Sequence, residues 1–356
     1  MRILFLDGTA GYSPTRLQEK PTGGILTSLT FIPRYLAKQG HEVFILSNHT
    51  KEETVEGVRH VVRPLDGFHA DVVVFNRNML DMSMVRHWQY AHKVWWLHDI
   101  VDHRYLEDEA FRHMDTVVAL SDYCKRSYAD YYDIPADKFV AIENGVDRSI
   151  FYPGTGKRDR NLYVVASAPI KGNYPLEFAF HNMTRLHPEF RLAVYSSQKL
   201  HDLVNTPGME AGLKALSDCG IEVMDPIPQS ELADVFRKAW ALLMPGHYPE
   251  NCSNIVLQAR ACGLPVIGSP VGSLPEQIPA HAGLLTKTGP SDFYWWWKDF
   301  AVQCADMYAQ DGLHEALSRS APQGVRSWED IGAEWNRMLN RRVNVNADLR
   351  QIPARV

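Results

Sequence analysis

Short runs of β-branched and aromatic residues alternate with polar–apolar stretches of helical length, and this alternation stops once and then begins again. The runs fall at residues 2–7, 42–47, 71–75, 94–98, 116–121 and 139–143, with helical stretches such as 24–39, 80–91 and 122–133 between most of them. Strand, helix, strand at this spacing closes most simply as a parallel pair with a helical crossover, so the pattern predicts a doubly wound sheet. Residues 145–160 are rich in Gly, Pro and charge and read as a linker. Beyond them the alternation resumes at 162–167, 191–195, 221–224, 241–245, 266–269 and 283–286. The expected fold class is α/β, with two Rossmann-like doubly wound domains facing a cleft. Ligands of such sheets sit at the carboxyl ends of the strands.

A chain of 356 residues agrees with two domains, and 45% hydrophobic with 22% charged residues is enough to bury a large core. A net charge of −5 without a long basic stripe speaks against nucleic acid as a partner. The five cysteines are odd in number and never form a C-x-x-C pair, which argues for a reducing compartment and against a disulfide frame or metal cage. The opening MRILFLDG is too short an apolar run for a signal peptide, and no apolar stretch reaches the ~18–20 residues of a membrane span. The expected location is cytoplasmic. Local patches, rather than net charge, would decide any peripheral contact with the inner membrane face.

The stretch 245–276, PGHYPENCSNIVLQARACGLPVIGSPVGSLPE, carries the most chemistry. The apolar AWALLMP before it reads as a buried strand, a polar loop with Glu250 follows, residues 253–262 read as a helix, and 266–269 start another strand. The loop thus delivers a carboxylate and a helix N-terminus to one place. Unpaired N–H groups and a partial positive charge make a helix N-terminus a phosphate site. A carboxylate beside phosphate is electrostatically awkward unless it grips hydroxyls. Phosphate next to hydroxyls describes a nucleotide sugar.

In order and spacing the segment resembles the donor-binding signature of retaining glycosyltransferases with the GT-B fold, in particular glycosyltransferase family four. That signature runs E-x-F-G-N-x-x-x-E-A, small residues, then G-x-P-V-I; here Glu250, Asn254, Gln258 and Ala259 precede ACGLPVIGSPVG. Gln258 stands where the family has a second glutamate that accepts hydrogen bonds from the ribose, and an amide keeps one carbonyl acceptor for that task. The resemblance extends to VVALSDYCKRSYADYYDIPADKFVAIENGVDRSIFYP at 117–153 and to SWEDIGAEWNRML at 327–339, like the family's final helix. It implies domains at 1–150 (acceptor), 151–325 (nucleotide sugar) and 326–356, the last a crossing helix and tail packed on the first domain.

Further sites follow from the residues and the resemblance together. Thr22-Gly23-Gly24 precedes a helix, where glycine lets backbone N–H groups approach phosphate. It is not G-x-G-x-x-G, so nothing favours NAD; the resemblance implies that Gly23 and Gly24 face the donor diphosphate and acceptor. His98 closes the run VWWLHD and matches a family histidine that touches the donor sugar, with Asp99 able to orient it or cap a helix. In VASAPIKG, Lys171 and Gly172 match the K-G that ends a family motif whose two cations neutralise the diphosphate; Lys171 is one of them, while Ala168 stands where the arginine is expected. Arg77, Arg16 and Lys20 are candidate replacements. The chain has no H-E-x-x-H, G-x-S-x-G or Walker motif, and no strand ends in Asp-x-Asp, so no metal is expected. Trp95 and Trp96 read as core, and the run 294–297 as helix packing or a partner or membrane contact.

The expectation is a metal-independent retaining glycosyltransferase without a cofactor. Glu250 and His98 hold the sugar; Lys171, the Ser253–Asn254 helix start and Gly23–Gly24 hold the diphosphate; Gln258 meets the ribose. The donor is a UDP- or GDP-sugar, and the acceptor hydroxyl belongs to a glycan, a lipid-linked saccharide or a small molecule. The alternatives are a nucleotide-sugar epimerase on the same fold and a non-catalytic nucleotide-sugar-binding protein.

Overall fold

The computed structural model describes residues 1–9, 12–49, 51–62, 68–77, 80, 82–101, 109–168, 171, 174–201 and 203–350. The chain divides into two compact units: one of residues 1–15, 25–145 and 328–356, the other of 16–24 and 146–327. Gly172 of the sequence reading lies outside the described residues.

The first unit is built on eight strands: β1 (Arg2–Leu6), β2 (Glu42–Leu46), β3 (Glu53–Val55), β4 (Val58–Val61), β5 (Val72–Asn76), β6 (His92–Trp96), β7 (Thr116–Ala119) and β8 (Phe139–Ala141). They lie in the order β3-β4-β2-β1-β5-β6-β7-β8. All neighbours are parallel except β3 and β4, an antiparallel hairpin at one edge. Its two turn residues, Glu56 (φ 47) and Gly57 (φ 81), are both left-handed, as a tight hairpin that follows the strand twist requires. The helix Gly24–Lys38 covers the sheet with Leu26, Leu29, Ile32 and Leu36 buried. The expected helix at 80–91 is shorter, Met82–His87. Trp95 and Trp96 point to opposite faces of β6, as strand alternation demands. Trp95 meets Tyr128 edge-on at 5.5 Å, whereas Trp96 meets Trp335 at 4.8 Å. Trp335 belongs to the helix Trp328–Arg350, which also stacks Trp328 on Phe31 at 5.2 Å.

The second unit holds β9 (Leu162–Ala166), β10 (Arg191–Tyr195), β11 (Glu222–Met224), β12 (Ala241–Met244), β13 (Val266–Gly268) and β14 (Gly283–Leu285). All are parallel, in the order β11-β10-β9-β12-β13-β14. Helices Tyr174–Leu186 and Phe293–Ala309 press Leu176, Phe180, Met183, Phe300 and Met307 onto one face. Phe236 and the helix Asn254–Ala261, through Val256 and Leu257, close the other with Phe151. Within the 294–297 run Trp296 is core, donating its indole N–H to Ser269 Oγ at 2.8 Å, while Tyr294 and Trp295 are exposed.

Candidate active site

In the second sheet the connections leave β9 in one direction and β12 in the other, so a crevice opens between the carboxyl ends of these two neighbours. The described lining there is Ser167 and Lys171 after β9, Met244, Pro245, Gly246, Tyr248 and Glu250 at and after β12, and Leu274. Strand order alone therefore brings together a lysine and a glutamate 79 positions apart in the chain.

They meet directly. Lys171 Nζ donates to Glu250 Oε1 at 2.5 Å, with the two side chains 30% and 9% exposed. A carboxylate this far from water needs a counter-charge, and Lys171 supplies it. The lysine is itself placed by backbone: His247 N–H donates to Lys171 O at 3.1 Å. Gly246 fits beside it because a Cβ there would lie 2.9 Å from that oxygen. The ammonium also stands 5.6 Å from the centre of the Tyr248 ring.

Glu250 is clamped from its other side. Ser273 N–H donates to Glu250 O at 2.7 Å, and Gly272 (φ 62) approaches so closely that a Cβ would lie 2.5 Å from Glu250 N and O. The helix Asn254–Ala261 then begins without a side-chain cap from Ser253. Ser253 N–H is taken by Gln277 Oε1 at 2.7 Å, so that group does not face the crevice as a spare phosphate donor. The N–H groups of the first helical turn behind it have no intrahelical acceptor and keep the anion-binding character of a helix start. Asn254 Nδ2 lies 3.5 Å from Gly24 O, which puts the Gly23-Gly24 turn beside this helix within the second unit. Gln258, one turn on, is 5% exposed, and its amide makes no hydrogen bond to a described residue.

Of the candidate cations, Arg16 belongs to the second unit, is 4% exposed and directs Nη2 to Leu200 O at 3.4 Å. Lys20 is exposed in the same segment. Arg77, in the first unit, has φ 52 and donates to Asp99 Oδ2 at 2.7 Å. Asp99 is thus engaged by Arg77. His98 follows β6, with its ring 4.6 Å from that of Trp96 and Nε2 shut off from solvent. Burial first, and the Arg77 charge second, depress its pKa to about 3, so the imidazole is neutral at any ordinary pH. Nearby, Asn76 Nδ2 donates to Asp7 Oδ1 at 2.7 Å, joining the ends of β5 and β1.

Gln277, Ser273, Gly272 and Gly246 are the site residues that sequence reasoning missed. GSLPEQ does carry a small residue and a Pro-led turn, but no local pattern says that a glutamine will bond a peptide 24 positions away.

Residues 161–295 match the family model of Glycosyl transferases group 1, and residues 71–150 match that of Glycosyltransferase Family 4. Together these stretches take in more than half of the chain. A D-inositol 3-phosphate glycosyltransferase of Frankia alni is 31% identical over 166 residues, 41% of this chain and 39% of its own. Its namesake in Segniliparus rotundus is 27% identical over 238 residues, 63% of this chain and 51% of its own. The chain spans about half the length of the curated relatives it matches. Among solved structures, sucrose-phosphate synthase from Thermosynechococcus elongatus aligns with a TM-score of 0.76 and 17% identity, covering 96% of this chain and 99% of that one. HepE of Anabaena, in complex with UDP and glucose, aligns at 0.72 with 15% identity over 96% and 99%. These likenesses establish the fold: two parallel-sheet units of the GT-B type.

Proposed function

The chain belongs to the GT-B glycosyltransferases, and on that premise we propose that it moves a sugar from a nucleoside diphosphate sugar to an acceptor hydroxyl, with retention and without a metal ion. The observation that carries this reading is the buried Glu250 carboxylate held by Lys171 at the switch point of the second sheet. A donor entering there offers both groups a better partner. Its diphosphate takes the ammonium, and its sugar hydroxyls donate to the carboxylate. As the glycosidic bond breaks, negative charge grows on the leaving diphosphate. Lys171 and the N–H groups of the helix Asn254–Ala261 are fixed positive poles for that charge, which is why no metal is invoked.

Retention is supported by what faces the sugar. Glu250 is the one carboxylate among the described lining residues, and it is occupied in charge pairing rather than set against a second carboxylate at the ~5 Å spacing of double displacement. The acceptor hydroxyl then attacks from the face the diphosphate leaves. His98 is assigned to the donor sugar by resemblance alone, and being neutral it can offer one N–H or one lone pair, not a positive charge. Gln258 is assigned to the ribose, and its buried amide, without a hydrogen bond to a described residue, suits a ligand hydroxyl.

HepE in complex with UDP and glucose supports a UDP-sugar as donor, with GDP-sugars next. The acceptor is a glycan, a lipid-linked saccharide or a small molecule, met in the cytoplasm. No helix of the described residues is long and apolar enough to cross a membrane. A non-catalytic sugar-nucleotide binder is the second reading, favoured by Gln258 and Ala168 in place of charged residues. Product formation by wild type and Glu250→Ala decides between them: loss of at least 100-fold on substitution, with undiminished activity in EDTA, supports the enzyme. No turnover by wild type on any donor supports the binder.

A further inference from the structure

Gln277 closes the four-residue helix Leu274–Gln277 after β13 and is 5% exposed. Its amide serves Ser253 as a neighbouring strand would. Oε1 accepts Ser253 N–H at 2.7 Å, while Nε2 lies 3.3 Å from Ser253 O and 3.3 Å from Cys252 Sγ. The carbonyl of Gln277 is fixed in turn by the buried Arg260, whose Nη1 donates to it at 2.8 Å. Four positions earlier, Ser273 N–H holds Glu250 O at 2.7 Å. One turn of chain, 272–277, therefore grips both ends of the segment 250–253, and that segment carries the carboxylate at one end and starts the phosphate-facing helix at the other.

We propose that Gln277 is a positioning residue for recognition of the donor sugar: it fixes the Ser253 peptide and thereby the aim of the Glu250 carboxylate at Lys171 and the sugar hydroxyls. This rests on the donor-site reading above. The reason is steric economy. Ser253 has no side-chain cap bond, so among described residues the Gln277 amide is what satisfies its N–H. Without that amide a buried peptide group is left unsatisfied, and the loop relaxes until it finds water. The diphosphate also has Lys171, which comes from the β9 end rather than from this peptide, so the sugar's share of binding should suffer more than the diphosphate's.

The experiment compares wild type with Gln277→Met, which matches the size but bonds nothing, Gln277→Asn, a milder shortening, and Gln277→Glu, which keeps the acceptor for Ser253 N–H. Calorimetric titration with UDP and UDP-glucose, and with GDP and GDP-mannose, separates the sugar's increment from that of the diphosphate. Gln277→Met is expected to weaken the sugar nucleotide about tenfold, or about 1.4 kcal/mol, and the bare diphosphate less than twofold. Gln277→Glu should recover part of the sugar's increment. Alkylation of Cys252 should quicken in the Met and Asn variants. If Gln277→Met does not fold, the Asn variant carries the same comparison. An unchanged increment in the folded variants, or equal weakening of diphosphate and sugar nucleotide, overturns the proposal. If wild type binds none of the four ligands, the donor site itself is wrong and the proposal falls with it.

Discussion

The Lys171–Glu250 pair answers an electrostatic problem that the residues pose by themselves. A buried carboxylate would repel an approaching diphosphate, and the ammonium at 2.5 Å cancels that field while the site is empty. Glu250→Gln keeps the shape and one acceptor but frees the lysine. The variant is expected to bind the bare nucleoside diphosphate at least as tightly as wild type by calorimetry, while turnover falls at least 100-fold. Lys171→Met should lower the free energy of unfolding by about 1–3 kcal/mol, and adding Glu250→Gln in the same chain should restore most of it. Additive losses in that cycle would mean the two side chains do not interact. For His98, a folded pKa of about 3 keeps the ring neutral from pH 5 upward. The pH profile of kcat/KM should therefore show no inflection between pH 5 and 8 that Asn at position 98 removes. Glu250 and Lys171 were legible because each follows an apolar strand in a loop with a recognisable signature. Gln277 was not, since its partner is distant in sequence and its neighbours spell an ordinary turn.

At the scale of elements, the site is made by close backbone approach as much as by side chains. Gly272 combines φ 62 with a Cβ direction that runs into the Glu250 peptide. Gly272→Ala should cost at least about 2 kcal/mol in unfolding free energy, from the left-handed conformation together with the clash. Gly246→Ala should instead mainly weaken nucleotide binding, because it pushes on Lys171 O. Strand and helix periodicity located most of these elements, because both sheets are buried on two faces and their strands read as apolar runs. It did not reveal the β3–β4 hairpin, whose strands of three and four residues are too short for a pattern. The Glu56-Gly57 pair was the available signal. Nor did it show that residues 16–24 group with the second unit, a consequence of long-range contacts such as Arg16 with Leu200 and Gly24 with Asn254.

For the whole molecule, the helix Trp328–Arg350 completes the first unit although it lies at the far end of the chain. Trp335 fills the space between Phe5 and Trp96, so Trp335→Ala should cost about 3–5 kcal/mol in chemical unfolding. Stability also depends on pH with a definite sign. Burial first of all lowers His60 and His314 to about 4; His314, stacked on Trp240 at 3.4 Å, uses Nε2 to meet Trp240 O. The unfolded chain takes up protons near pH 6.5 that the folded chain refuses. Stability is thus full above pH 6.5 and is lost as the pH falls toward 4, and His314→Asn should lessen that fall in thermal unfolding. The restart of the strand–helix alternation after residue 160 made the two-sheet architecture readable, since it is a property of many residues rather than of one contact.

The central claim is that Lys171 and Glu250 divide a nucleoside diphosphate sugar between them. The most direct test is thermal unfolding of wild type, Lys171→Met and Glu250→Gln against a panel of nucleoside diphosphates and their sugars. A ligand at 100 times its dissociation constant raises the stability of the protein that binds it by about 2.7 kcal/mol. Wild type should shift with one nucleotide and further with its sugar, Lys171→Met should lose most of both shifts, and Glu250→Gln should keep the first and lose the second. A wild type that shifts with nothing, or two variants that lose the same shifts, would contradict the account.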